Sequence, residues 1–281
     1  MLRPSFLAGL WYPATDSACR KAIAAHAADA EPEQGPYTGL VGPHAGWSYS
    51  GDAAAEGYAW LSAAVPHPDL VVVFGSHRGP HGPNTIFCAD GWSTPLGPLA
   101  TARDLAIRLR DELRLGEEPV QPGHPDNAVE LHLPFVRYFF PKAELLMLGV
   151  GAAKEALAIG AAVAKRVQET KRRAVFIGST DLTHYGPNYD FEPQGRGDQA
   201  VRWVREQNDR GFIDAILAKE PETVVLHGTE EHSACCPGAV AAAMSAVQAA
   251  SGALHPKVVS HYLSYDVQPN DSFVGYAGVL L

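Results

Sequence analysis

The sequence predicts an α/β protein, a sheet covered on both faces by helices. Three observations lead there. Short β-branched runs recur along the chain. Ala-rich amphipathic stretches separate them. No Pro/Ser-rich linker divides the two, so residues 1–281 read as a single domain. In chain order, the Asp16–Ala28 stretch is a helix with Asp16 as its cap, and Thr38–Val41 is a strand. A helix over Ala53–Ala64 and strands at Leu70–Gly75 and Thr85–Cys88 follow. Thr101 caps a helix to Leu113, and Glu144–Val150 is the next strand. Ala152–Glu169 is helical, Ala174–Gly178 a strand, and Gln199–Ala218 one long helix. The chain closes with a helix at Gly238–Ala250 and strands at Lys257–Leu263 and Ser272–Leu280.

Composition removes several functional classes. Lys+Arg total 22 against Asp+Glu 31, a net charge of −9, and no basic block occurs. That balance argues against a nucleic-acid partner and against an anionic membrane surface. No apolar run is long enough to span a bilayer, and Pro4, Gly9 and Pro13 break the apolar N-terminus, which does not read as a signal peptide. Four scattered cysteines in this length do not make a disulfide framework, so a reducing, cytoplasmic setting is expected. Twelve histidines turn attention to metal and acid–base chemistry.

Ligands of open α/β sheets bind beyond the carboxyl ends of the strands. The first strand runs into Gly42-Pro43-His44-Ala45-Gly46, and the second into Gly75-Ser76-His77-Arg78-Gly79. A later one runs into Ser179-Thr180-Asp181-Leu182-Thr183-His184-Tyr185-Gly186. Ala234-Cys235-Cys236-Pro237-Gly238 opens an Ala-rich helix. Imidazole and thiolate are good ligands for Fe, Zn and Cu. Taken alone, each has a plain structural reading: a surface His, an Asx-turn at Asp181, a small buried Cys. Their recurrence at equivalent ends of separate elements favours a site. Cys19 and Cys88 read as packing residues, and His26, His67, His227 and His255 as surface groups. Gly-x-Ser-x-Gly, the Walker loop, Gly-x-Gly-x-x-Gly after a strand and His-Glu-x-x-His are all missing.

On these residues the sequence resembles the Memo family, whose prokaryotic members are called AmmeMemoRadiSam system protein B. The matching segments are Ala8–Pro13, Pro43–Gly51, Gly75–His77, Glu130–Phe135, Ser179–Gly186 and Ser272–Ala277. The family is similar in fold to the LigB-like class III extradiol dioxygenases, which open catechol rings with non-haem Fe(II). The resemblance implies a central mixed sheet flanked by helices. It also implies a metal site from His44, His77 and Cys235, with Asp181 and His184 alongside. Fe(II) is the expected metal, with Cu or Zn as alternatives. In the dioxygenases the third ligand is a carboxylate; here, as in Memo proteins, a Cys takes that place. The family's frequent Glu-His-Ser is replaced by Asp126-Asn127-Ala128.

The expected activity is an oxidoreductase acting on a small diol with O2. His184 is the expected base, and Asp181 orients it or contacts substrate. Trp11, Trp47, Tyr49 and Trp92 are expected either as aromatic walls for a flat substrate or as core packing. The alternative is an adaptor that binds metal or a phosphopeptide without catalysis. Between the adjacent thiols, the family's Ala-Cys-Gly-x-Gly pattern favours Cys235 as ligand. Pro237 fits the first helical position and makes Cys236 the cap. In extended chain, successive side chains diverge, so only one thiol should face the cleft.

Overall fold

A computed structural model describes residues 1–121 and 126–281. Its strands are β1 (Leu2–Arg3), β2 (Gly39–Gly42), β3 (Leu70–Gly75), β4 (Thr85–Ile86), β5 (Gly91–Trp92) and β6 (Leu99–Ala100). They continue as β7 (Gly116–Glu117), β8 (Glu144–Gly149), β9 (Ala174–Ser179), β10 (His184–Tyr185), β11 (Lys257–Leu263) and β12 (Phe273–Leu280). A nine-stranded mixed sheet runs in the order β10-β12-β2-β9-β3-β8-β4-β7, with β11 also paired to β12. The four central strands β2, β9, β3 and β8 are mutually parallel. Their carboxyl ends therefore meet at one edge of the molecule. Strands β1, β5 and β6 form a separate small sheet.

The alternation of side chains along a strand divides the core into two layers. Val72, Phe74, Leu146 and Leu148 face the helices Arg103–Leu113, Glu155–Glu169 and Pro237–Ser251. Val71, Val73, Leu145 and Met147 face Asp16–His26, Trp47–Ala64 and Leu133–Phe139. Both faces are thus covered, and this is why the central strands are apolar except at two strand ends, Glu144 and Ser179. Gly160 lets two helices of the first layer touch backbone to backbone. A Cβ there would sit 2.1 Å from the Ala242 carbonyl oxygen. That close approach fixes the helix opening at Pro237, and with it the two cysteines just before it.

Several expected boundaries shift, each for a physical reason. Thr15, not Asp16, caps the first helix, its hydroxyl accepting from the Ala18 N–H at 3.4 Å; Asp16 instead pairs with Arg20 one turn on. Thr101 does not cap its helix, which starts after Ala102 with no side-chain cap. The helix expected from Ala53 begins at Trp47, because that turn buries the Trp47 ring against Tyr12 and Phe135. The Thr85–Cys88 strand pairs only over Thr85–Ile86. The expected helix Gln199–Ala218 is interrupted: a π-helical turn at Val204–Asn208 separates Asp198–Trp203 from Asp209–Leu217. The insertion delivers Asn208 and Asp209 to Thr183, where Asn208 donates to the Thr183 hydroxyl and Asp209 accepts its N–H at 3.1 Å. Among the described residues, no helix is long and apolar enough to cross a membrane.

Candidate metal centre and its cleft

Strands β2, β9 and β3 are neighbours, so the loops after them converge. His44 follows β2, Asp181 follows β9 and His77 follows β3. The opening of the Pro237–Ser251 helix brings Cys235 and Cys236 to the same point. The ligating atoms of His44, His77, Cys235 and Cys236 all lie within 4.8 Å of one another. His44 Nε2 is 3.1 Å from His77 Nε2 and 3.2 Å from Cys235 Sγ.

The protons on this network can be counted. Ser179 donates its hydroxyl hydrogen to the Ala128 carbonyl. A serine hydroxyl has one hydrogen and two lone pairs. So Ser179 accepts from His44 Nδ1–H at 2.7 Å and from His132 Nε2–H at 3.0 Å. The Tyr58 hydroxyl completes the chain by donating to His132 Nδ1 at 3.1 Å. Burial, reinforced by nearby His44, pushes the His132 pKa down to about 3, which keeps that ring neutral. Burial draws the His44 pKa down, but Cys235 and Asp181 outweigh it and hold it above the ordinary imidazole value. A metal displacing the Nε2 proton would leave Nδ1–H on Ser179 and the Nε2 lone pair aimed at His77 and Cys235.

His77 is arranged in the same sense by Asp126. That carboxylate accepts from His77 Nδ1 at 3.0 Å, from the His77 backbone N–H at 3.1 Å and from the Ser76 hydroxyl at 2.9 Å. Ser76 sits at φ 89°, a left-handed conformation that costs a non-glycine residue about 1–3 kcal/mol. The Asp126 bonds hold that strained turn in place. Burial draws the His77 pKa down, but Asp126 and Cys235 outweigh it and take it up to about 10. Asp126 itself is held below the usual carboxylate range by His77, against the effect of burial.

The two thiols differ. Burial alone would push Cys235 up. The neighbouring Cys236 thiol together with His44 and His77 outweighs this, and holds Cys235 well below the ordinary thiol value. Its sulfur also accepts the Asp181 backbone N–H at 3.3 Å. Cys236 is pushed up by Cys235 and by burial, and donates its S–H to the Ser76 carbonyl at 3.4 Å. Cys236 is the helix cap before Pro237, as the sequence implies. Yet both sulfurs lie within the cluster, contrary to the expectation of diverging side chains. Cys236 is the more buried of the two, within the core layer of the Pro237–Ser251 helix, and its backbone at ψ 56° falls short of the extended value usual before proline.

This donor set fits a metal ion. Two imidazole Nε2 atoms and a thiolate point inward, and each imidazole donates its other N–H to a fixed acceptor. Metal-binding histidines are oriented in this way. Two tests follow. Cys235→Ser should lower the metal content of purified protein at least about tenfold, while Cys236→Ser should leave it near wild type. Metal loss confined to the second variant would identify the other sulfur. Ser179→Ala should weaken metal affinity about 10–100-fold in chelator competition, because His44 then loses the partner that fixes its tautomer. An unchanged affinity would remove Ser179 from that role.

The centre opens into a cavity of about 620 Å³ whose wall includes His77, Asp181, His184, Trp11 and Tyr49. Asp181 and His184 therefore share the cleft. Asp181 does not orient His184, however. Its Oδ1 accepts the backbone N–H groups of His44 at 2.7 Å and Ala45 at 3.2 Å. Burial raises the Asp181 pKa, and His44 opposes that rise. His184 donates Nδ1–H to the Leu182 carbonyl at 3.1 Å and meets the Tyr189 ring edge-on at 4.9 Å. A carbonyl can only accept, so Nε2 of His184 carries the lone pair.

The aromatic-wall expectation holds for Trp11 and Tyr49 but not for the other two. Trp47 lies in the core, and Trp92 is fully buried with the Arg3 guanidinium 4.0 Å above its ring. Sequence reasoning also passed over Ser179, His132 and Tyr58, and gave Asp126 no role. Of these, only His132 and Asp126 carried a signal, as titratable residues flanking the Glu130–Phe135 segment.

A Memo-like protein family profile matches residues 3–280. A MEMO1 family protein of Methanococcoides burtonii is 31% identical over 284 residues, covering 100% of both chains. A second, from Methanopyrus kandleri, is 30% identical over 296 residues, covering 100% of this chain and 99% of that one. The fold is shared with the crystal structure of the uncharacterized protein JW3007 from Escherichia coli K12. There the TM-score is 0.53 at 12% identity, over 86% of this chain and 98% of the other. A match from end to end, together with relatives at this identity, establishes that the chain belongs to the Memo family.

Proposed function

We propose that this protein is a metal-dependent oxidoreductase of the extradiol dioxygenase type, acting on a small aromatic diol with O2. One observation carries the reading: two imidazole Nε2 atoms and a thiolate converge beside a cleft that one of those imidazoles, His77, lines together with His184, an imidazole outside the cluster. Fe(II) is the metal proposed, with Cu or Zn as alternatives; bound there, iron would supply the one-electron chemistry that lets O2 react with a diol. His44, His77 and Cys235 are its proposed ligands. His184 takes the proton of a diol hydroxyl at Nε2, since its Nδ1–H is engaged by Leu182. Asp181 holds the His44–Ala45 turn through two backbone N–H groups and so positions the first ligand. The proposed partner is thus a small molecule, with neither nucleic acid nor membrane.

A second reading has its own support. Leu10 is 78% exposed at the cleft mouth beside half-exposed Trp11 and Tyr49, as a non-catalytic binding protein would present. Anaerobic iron loading followed by oxygen-electrode assay on a catechol panel separates the two. O2 uptake with a coloured ring-fission product supports the enzyme. Stoichiometric metal binding without turnover of any diol supports the adaptor.

A further inference from the structure

The cleft wall beyond the metal end carries information about what it admits. Among the described residues lining it, none is Lys or Arg. Proteins that capture carboxylates or phosphates supply such cations, most often as Arg forks. What the wall offers instead is aromatic: Trp11, Tyr49, Tyr189 and Tyr276. The first three are 41%, 38% and 43% exposed, so their rings are available to a ligand. Tyr49 and Gln268 pair with each other, the hydroxyl donating to the amide oxygen at 3.0 Å. This leaves the Gln268 amide hydrogens as neutral donors suited to hydroxyl groups. The carboxyl in this wall is Asp181. The chain as a whole carries a net charge of −9, so the background potential adds to the same sign.

Beyond the histidines at the metal end, an anionic substituent entering here meets aromatic faces and no Lys or Arg among the described residues, and like charge is penalised. An ammonium meets ring faces that attract it. We infer that the cleft selects aromatic diols whose remaining substituent is neutral or cationic, and rejects those bearing a carboxylate or phosphate. This rests on the reading that the cleft is the substrate site. It also bears on the adaptor alternative, because a phosphorylated tyrosine would bring a dianion to a wall without a cationic partner.

The test is anaerobic equilibrium dialysis of the purified metal-containing protein against matched catechols with ethyl, aminoethyl and carboxymethyl substituents, and against phenyl phosphate. The ethyl and aminoethyl compounds should bind at least about tenfold more tightly than the other two. Asn188 is exposed on the same wall, tied to Ser272 only through its backbone N–H. Asn188→Lys should therefore leave the fold intact and shift the preference at least about tenfold towards the carboxymethyl compound. Equal or tighter binding of the anions by the unaltered protein overturns the inference, as does binding of none of the four. Charge selectivity without O2 uptake would sink the dioxygenase reading and leave the selectivity standing. O2 uptake with a preference for the carboxymethyl compound would do the reverse.

Discussion

Replacing His44 or His77 with alanine should strip the metal from purified protein while leaving unfolding cooperative. Losing an outer partner of a metal-binding histidine typically costs 10–100-fold in affinity. Losing the ligand itself should cost more than about 100-fold, so metal per mole of protein should fall to background in both variants. The fold should survive for a local reason. The His44 backbone N–H, not its ring, ties the turn to Asp181 at 2.7 Å, and that bond is untouched by the substitution. His77 is exposed, and the strained Ser76 turn keeps its own hydroxyl bond to Asp126. Elemental analysis alongside urea denaturation checks both halves. Full metal retention in both variants would falsify the assigned ligand set.

The two variants should also differ. His44 is fully buried and shares Ser179 with His132. Removing its ring leaves the Cys235 thiolate with one neighbouring imidazole instead of two, and Ser179 with one unused lone pair. His77→Ala frees an Asp126 oxygen that still accepts the Ala128 N–H at 2.9 Å. The His44 variant should therefore lose more stability than the His77 variant.

Much of this site was legible because it obeys a rule of topology. Parallel central strands place their carboxyl ends together, so His44, His77 and Asp181 could be found by reading the residue after each β-branched run. Cys235 was legible because a helix start with proline at its first position announces itself. What the sequence hid were interactions without periodicity. Asp126 reaches His77 across 49 positions, and Ser179 reaches His44 across 135. Neither spacing leaves a pattern in a single chain. The π-helical turn at Val204–Asn208 was invisible because its residues are ordinary helix formers. It became visible only once Asp209 was seen buried against Thr183. For Trp92 the sequence left cleft wall and core packing open, and the structure takes the second, with the ring buried and the Arg3 cation stacked on it. Thr101 misled because capping depends on where its hydroxyl points, and here that buried oxygen finds no partner among the described residues.

The division of labour between binding metal and moving protons is tested at His184. His184→Ala should leave metal content unchanged and lower the rate of diol-dependent O2 uptake by about 10²–10⁴-fold, the usual contribution of a general base. The geometry separates it from the ligands in three ways. Its ring is absent from the four-residue cluster of converging donors. Its Nδ1–H is spent on the Leu182 carbonyl rather than on a carboxylate or serine of the kind that backs His77 and His44. Its backbone lies in β10, paired with Val274 of β12, so the substitution removes the imidazole without loosening the strand. A structural defect would slow turnover and shed metal together. Loss of proton transfer slows turnover alone, and added imidazole should restore part of the rate. If the variant instead loses its metal, His184 is a ligand, and the base must be sought elsewhere in the cleft.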